Sequence, residues 1–450
     1  MNEVQLSPHH TVAVIGGAVA GAQVARMTAD RGATVVVFEQ NDRPFGKIED
    51  GLPRWHSALR EKEFARIVEL LEHPGIRFVP RTKVGRDVDF SELVDGWGFS
   101  AVVLANGVWR DRPLPIPDAE AFLGRGLMYQ NPFIVAFNHA EDPSFDGPRF
   151  DIPEGALVVG GGLASIDVVK VCMLETTRAR LRERGHEVDL EAMEKAGISK
   201  TCEMFGVRFE ELGVTPTTLI YRRRAEDMPL SEMPAGADEA RARKVRESRK
   251  KILERAQDKF LFDFLPLVSP EAPVVEDGRL VGLKLRKLST EDGRTLTRTD
   301  EVIERRGGAV ISSIGSIPEP IGGITMKGEL FAFTDWDLGR LEGMPTVFSA
   351  GNVVTGKGNI VASRRHSTHI GAHLAGAYLG LEEADPETLT FNLHEKAKAK
   401  GAAAAERVAE APRVDDATLA ALEERVAKRQ AEVGFGGDLR AWIEAHPPAR

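Results

Sequence analysis

Cysteine is nearly absent. The 450 residues hold two, Cys172 and Cys202, 30 positions apart, and no C-x-x-C pair occurs. Iron–sulfur ligation needs closely spaced thiolates and disulfide exchange needs a C-x-x-C turn, so neither chemistry is available to this chain. Long apolar runs are missing as well: no stretch approaches the roughly 20 residues of a membrane span. Met1 to His10 is polar and carries no signal-peptide pattern, so a cytoplasmic protein without a membrane partner is expected. Excess positive charge is lacking too. A net charge of −9 argues against wholesale binding of nucleic acid, although a local basic patch is compatible with it. No metal site is expected. What remains, 42% hydrophobic and 28% charged residues, is the composition of an ordinary globular protein with room for two or three domains.

What the chain does have is glycine turns set between strands. Val12 to Gly21 reads VAVIGGAVAG: Val12 to Ile15 is a buried strand, Gly16 and Gly17 a tight turn, and Ala20 to Ala29 the helix that leaves it. Thr34 to Phe38 is the next strand, closed by Glu39. Strand, glycine turn, helix, strand and acid is the order of a dinucleotide-binding βαβ unit, in which the helix N-terminus faces a pyrophosphate and the acid takes a ribose diol. Gly16 and Glu39 are 23 positions apart, near the usual spacing of about 20. The middle glycine of G-x-G-x-x-G is Ala18, whose methyl stands where the backbone would approach the phosphates.

Asn41 to His56 reads as one long loop, Arg60 to Leu71 as a helix, and Ile76–Val79 and Ala101–Leu104 as further strands, the last stopping at Asn106 and Gly107. Trp109 to Glu154 is proline-rich and reads as an irregular connection. The opening pattern then returns: Ala156 to Val159, followed by Gly160, Gly161, Gly162, Leu163, Ala164, Ser165, Ile166 and Asp167, is a second strand, turn and helix. Here the third glycine is Ser165. Two such fingerprints in one chain imply two nucleotides handled together. A polar helical insertion, roughly Leu174 to Leu212, precedes the strand Thr218–Tyr221, which ends in Arg222, Arg223 and Arg224. Arginines in the place of a diol-binding acid favour a 2′-phosphate, hence NADP over NAD.

Arg241 to Lys259 carries nine Lys/Arg against three Asp/Glu and reads as a helix with Val245, Ile252, Ala256 and Phe260 on one face. Its cationic face is either solvated surface or a dock for an acidic partner. Val274 to Arg306 reads as antiparallel hairpins, and Ala309–Ile314 and Thr346–Ala350 as buried strands. The latter runs through Gly351 and Asn352 into a helix expected from Ile360 to Leu379. In the tail, Leu419, Leu422 and Val426 mark a helix expected on the surface or against a second subunit.

Laid out in this way, Thr11 to Leu379 resembles the adrenodoxin reductase type of ferredoxin–NADP reductase and the flavoprotein subunit of glutamate synthase. Pro44 to His56 looks like the family's P-F-G-G loop, FIVAFN (Phe133 to Asn138) like its interdomain segment, GGGLASIDVVK like its second fingerprint, YRRR with EDMP like the glutamate synthase subunit, and FSAGNVVTGKGNIV like its closing flavin segment. The resemblance implies an α/β fold of two doubly wound dinucleotide-binding domains, with a discontinuous FAD domain at 1–107 and 319–390, an NAD(P)H domain at 108–318 and a helical tail at 391–450. It implies FAD contacts from Gly16, Gly17, Ala18, Gly21, Glu39, Gln40, Gly46, Lys47, Gly107, Gly351, Asn352, Gly358, Asn359 and Ile360. NADPH contacts fall to Gly160, Gly162, Leu163, Ala164, Arg222 and Arg223, and a proton relay to His56 and Asp167.

The departures are Ala18, Lys47 in place of the second glycine of P-F-G-G, Asn352 in place of Trp or Asp, and the missing cysteine-rich domain of the glutamate synthase subunits. The implied activity is hydride transfer from NADPH to FAD, followed by electron transfer to an acceptor such as a ferredoxin docked on the basic helix. Two other readings stay open on the residues: a flavin-dependent oxidase, monooxygenase or dehydrogenase with a small organic substrate held by the 41–56 loop and the 171–214 insertion, and an assembly subunit, in which an oligomer would form through the tail.

Overall fold

The computed structural model describes residues 9–448 except 144, 235, 357 and 382–412. The chain forms two compact units, one of Met1–Leu52, Ser57–Arg110 and Ile317–Arg450, the other of Pro53–His56 and Asp111–Ser316. In chain order the first unit opens with β1 (Thr11–Ile15), α1 (Val19–Ala29), β2 (Thr34–Phe38), α2 (Ser57–Leu71), β3 (Ile76–Val79) and β4 (Ala101–Leu104). The second unit supplies β5 (Leu127–Tyr129), α3 (Gln130–Asn138), β6 (Leu157–Gly160), α4 (Leu163–Glu183), α5 (Leu190–Ala196), α6 (Ile198–Met204), β7 (Thr218–Tyr221), α7 (Glu239–Phe260) and β8 (Asp263–Pro266). It continues with β9 (Val268–Glu276), β10 (Arg279–Ser289), β11 (Thr297–Arg306) and β12 (Val310–Ser313). The first unit is completed by β13 (Val347–Ser349), α8 (Ile360–Ala372), α9 (Asp416–Glu432) and α10 (Leu439–Ala445).

The first unit is a five-stranded sheet in the order β13-β4-β1-β2-β3, every pair parallel. Side chains alternate across a strand, and this sheet is covered on both sides, which is why VAVI and TVVVF are unbroken apolar runs. Val12, Val14, Val35 and Val37 pack with Ala22 and Val24 of α1 and Ile370 of α8. Ala13, Ile15, Val36 and Phe38 face a second core that contains Phe90, Phe331, Leu422 and Val426. The chain leaves β1 for β2 on one side and later sets β4 on the other, so the strand order reverses beside the C-terminal end of β1. Open parallel sheets bind ligands at that place.

The tail differs from expectation. Residues 391–412 lie outside the described residues, but α9 lays Leu422 and Val426, 1% and 2% exposed, into the core of the first unit rather than onto its surface or a second subunit. Asp415 caps α9 by accepting the Thr418 N–H at 2.7 Å, and the Trp442 indole donates to the Asp42 carbonyl at 2.7 Å. The helix expected to run to Leu379 is α-helical only to Ala372 and continues as a π-helical turn over His373–Tyr378. The supposed loop at 41–56 contains two short helical turns, Lys47–Asp50 and Arg54–His56.

The second unit is a parallel sheet in the order β5-β12-β6-β7-β8, beside an antiparallel sheet β9-β10-β11. The 109–154 stretch, expected to be irregular, holds β5 and α3 and contributes Phe133, Ile134 and Phe137 to the core. Its Pro132 lies in the first turn of α3, where a helix needs no N–H partner, so proline density did not exclude a helix there. The basic segment forms α7, which buries Ala242, Val245, Leu253 and Phe260. Among the described residues no helix is long and apolar enough to cross a membrane.

Candidate functional site

In the first unit the turn after β1 is fixed by backbone contacts that exclude side chains. Gly16 has φ +100°, and its N–H donates to the Phe38 carbonyl at 2.8 Å. A Cβ on Gly21 would stand 1.7 Å from the Gly16 oxygen, so α1 packs onto the turn only because no side chain is there. Ala18 precedes the helix with φ −74° and ψ −160°, extended backbone open to any residue, and no glycine is needed for its conformation. Gly46 lies beside it: a Cβ there would be 3.0 Å from the Ala18 methyl. Lys47 stands over the Trp109 ring at 5.4 Å.

Glu39 is buried at 4% exposure, and its carboxylate accepts the Gly17 N–H at 2.8 Å and the Asn41 N–H at 3.0 Å. Burial pushes its carboxyl up to about 7 despite those two amide bonds. Gln40, next in the chain, is half-buried. The closing segment meets the same turn: a Cβ on Gly351 would be 2.6 Å from the Ala20 side chain. The Gly351 N–H donates to Nδ1 of His366 at 3.0 Å, which requires an unprotonated Nδ1, and burial lowers the proton affinity of this imidazole. Asn359 caps α8 by accepting the Ala362 N–H at 2.7 Å, and Ile360 packs on the first core. Gly107 has φ +68°, and Gly358 lies near the Asn352 amide, 3.8 Å from where a Cβ would sit.

Among the buried side-chain atoms that find no hydrogen-bond partner are Oδ1 of Asn106, Oδ1 of Asn352 and Nε2 of His366. Asn106 and Asn352 follow β4 and β13, the strands on one side of the reversal, and Glu39 closes β2 on the other. Buried polar atoms are normally paired, and these three have hydrogen-bonding capacity left for a polar ligand. A dinucleotide such as FAD fits this donor and acceptor set. In the sequence Asn106 is marked only by its place at a strand stop, and no local pattern marks His366, a histidine 15 residues after a glycine turn.

In the second unit a Cβ on Gly160 would meet the Ser165 Oγ at 2.2 Å and the Ser313 oxygen at 2.3 Å, and one on Gly161 would enter the Tyr221 ring. Ser165, in the third glycine's place, is tolerated because its hydroxyl donates to the Ser313 carbonyl at 3.0 Å. Gly162 is different: nothing lies within 4 Å of where its Cβ would be. That space lies at the start of α4, next to Leu163 and Ala164, where free helix N–H groups and open backbone suit a pyrophosphate.

The three arginines after β7 are not equivalent. Arg224 is held by Asp227 at 2.7 Å and Glu226 at 3.2 Å, while Arg223 donates to the Arg294 carbonyl at 3.3 Å. Arg222 is exposed and forms no ion pair among the described residues. His56, half-buried, ends the Arg54–His56 turn, which belongs to the same compact unit as Asp167 on α4. Trp55 of that turn packs on Phe137 at 5.3 Å. Asp167 retains 21% side-chain exposure but lies deep among protein atoms, and burial pushes its carboxyl up to about 6. Both cysteines are buried, and burial raises the Cys172 thiol to about 12, out of reach of thiolate chemistry.

No protein-family model matches the chain. It is 23% identical over 395 residues to the mitochondrial NADPH:adrenodoxin oxidoreductase of Arabidopsis thaliana, covering 78% of this chain and 78% of that protein. It is 29% identical over 171 residues to the NADPH glutamate synthase small chain of Bacillus subtilis, a match to 37% of this chain and 33% of that one. Among solved structures, Mycobacterium tuberculosis FprA in complex with NADPH superposes with a TM-score of 0.65 at 18% identity, covering 94% of this chain and 91% of that one. With two doubly wound nucleotide folds in one chain and these likenesses along most of its length, the protein is an FAD-dependent NADPH oxidoreductase similar to the adrenodoxin reductases and the glutamate synthase small chains.

Proposed function

We propose that the chain oxidises NADPH at FAD and hands the electrons singly to a small acidic iron–sulfur protein of the ferredoxin kind. The observation that carries the NADPH side is Arg222, an exposed guanidinium without an ion pair among the described residues, at the strand end where a diol-binding acid would select NADH. FAD, when bound, supplies hydride acceptance and one-electron release. The chain's own residues do the rest. Gly162 leaves room for the pyrophosphate at the start of α4, and Arg222 with Arg223 takes the 2′-phosphate. Glu39, Asn106, Asn352 and His366 are the groups that would hold the flavin nucleotide. His56 and Asp167 take and return the proton, since burial holds the Asp167 carboxyl at about 6, close enough to neutral pH to exchange it, and an imidazole can both accept and donate.

The acceptor side rests on α7, whose Arg241, Arg243, Lys244, Lys250, Lys251 and Arg255 are exposed. A cationic face on a protein of net charge −9 favours an acidic partner. Anaerobic NADPH is expected to bleach the flavin absorbance of the purified protein, and the reduced protein to pass electrons to a ferredoxin at a rate that falls with ionic strength. Oxygen uptake only in the presence of an organic substrate would instead make the protein an oxygenase, and a colourless preparation would remove the flavin from the scheme.

Replacing Arg222 and Arg223 together by alanine is expected to raise the KM for NADPH roughly 10- to 100-fold, the range of one or two lost charge-assisted hydrogen bonds. The KM for NADH should stay put. An equal rise for both nucleotides would assign the two arginines a structural role.

A further inference from the structure

The insertion at 171–214 does more than bridge α4 to β7. Its helix α5 carries Glu194, whose Oε1 lies 2.7 Å from the ammonium of Lys170. Lys170 is one turn beyond Asp167 on the same face of α4, with 3.7 Å between its Nζ and Asp167 Oδ1. The lysine is 7% exposed, and its ammonium lies over the Trp55 ring at 4.7 Å and the Phe260 ring at 4.9 Å. One buried cation therefore ties together α4, α5, the end of α7 and the turn that carries His56. A buried ammonium is tolerated only when paired, and here two carboxylates and two ring faces share that task.

Charge counting gives this cluster a second property. Two carboxylates face one ammonium, so full ionisation leaves a net negative charge in a poorly solvated place, and one carboxyl has to hold its proton more tightly. Glu194 is the closer partner of Lys170, which leaves Asp167 as that carboxyl. Burial is the main cause of its raised proton affinity; Lys170 opposes the rise and Glu194 adds to it. Lys170 and Glu194 are the charges that act on Asp167; Arg54 of the turn pairs with Glu141 at 2.9 Å and Glu175 at 3.5 Å, and Lys259 of α7 shares the Phe260 ring at 5.1 Å.

We propose that Lys170 and Glu194 are positioning residues for the proton relay: between them they set the charge state of Asp167, and the lysine seats the Trp55–His56 turn against α4 through the indole face. This rests on the reading of His56 and Asp167 as the relay. The pair works as two opposed levers on one carboxyl. Lys170 keeps it ionisable, and Glu194 keeps it from ionising fully.

The test is a titration of the Asp167 carboxyl in the flavin-loaded protein without NADPH, by isotope-edited infrared difference against Asp167→Asn. Lys170→Met is expected to move the Asp167 titration upward by at least about one pH unit, and Glu194→Gln to move it downward by about one, the range for a charge within 4–6 Å. The pH profile of flavin reduction by NADPH should show the same opposed displacements on its acid limb. Movement of both titrations in one direction, or of neither, overturns the proposal, since a purely structural cluster gives no opposed signs. If the carboxyl titrations move as expected while the reduction profile does not, the positioning role of the pair stands and the relay reading fails. Should Lys170→Met not fold, Glu194→Gln decides alone, because it keeps the side-chain volume and leaves the cation in place. No downward movement in that variant overturns the proposal.

Discussion

Gly21→Ala is expected to destabilise the first unit by about 3 kcal/mol or more and to leave the purified protein without flavin. The new Cβ would stand 1.7 Å from the Gly16 carbonyl oxygen and 3.2 Å from a Val14 methyl. A side chain in that position could swing aside, but the oxygen belongs to a backbone pinned by the Gly16 N–H to the Phe38 carbonyl at 2.8 Å. The only relief is for α1 to lift off β1. That motion opens the core in which Val14, Ala22 and Val24 meet, and it moves the helix N-terminus away from the place a pyrophosphate would occupy. Thermal unfolding followed by circular dichroism, together with the flavin content, measures both effects. Ala18→Gly is the control. Its backbone is ordinary extended chain, so its stability should change by no more than about 1 kcal/mol. A Gly21→Ala protein that melts like the parent and stays yellow would show that the turn is not built on this approach.

The elements legible in the sequence are those with a single physical solution. VAVIGG and LVVGGG are β-branched runs that stop at glycines, and only a strand buried on both faces followed by a tight turn accommodates them. What escaped depends on which segments meet. Leu422 and Val426 look the same in sequence whether they cover a second subunit or, as observed, the open face of the first sheet. Asn106 and His366 show their significance only as buried polar atoms left unpaired at one sheet edge. Lys170 and Glu194 come from different helices, so no spacing rule joins them, and the role of the insertion becomes visible only once α5 is packed on α4.

Glu39→Gln should make the flavin-free protein more stable at pH 8 and weaken its hold on FAD. The Glu39 carboxyl is raised from 4.5 to about 7, mainly by burial. A carboxyl with a higher pKa folded than unfolded binds more protons in the native state across that interval, so native stability falls as pH rises from about 4.5 to about 7 and is level on either side. The accumulated penalty above pH 7 is on the order of 3 kcal/mol, from about 2.5 pH units at 1.36 kcal/mol each. Glutamine removes the charge and with it the penalty, but only one amide atom can accept. The Gly17 and Asn41 N–H groups, now shared by two carboxylate oxygens at 2.8 and 3.0 Å, would compete for it. That loss costs about 1 kcal/mol, so the net gain at pH 8 is about 2 kcal/mol, and it vanishes near pH 5, where the native carboxyl already holds its proton. Urea unfolding of the two proteins at pH 5 and pH 8 measures this difference. Binding works in the opposite sense. A ribose diol needs a charged acceptor, so FAD should draw the Glu39 proton off, and wild-type affinity should increase from pH 5 to pH 8, whereas the glutamine variant should bind roughly 10- to 100-fold more weakly at pH 8 with little pH dependence. A stability difference between the two proteins that is the same at both pH values would mean that the buried carboxylate is already charged at pH 5, and the two N–H groups would then outweigh burial.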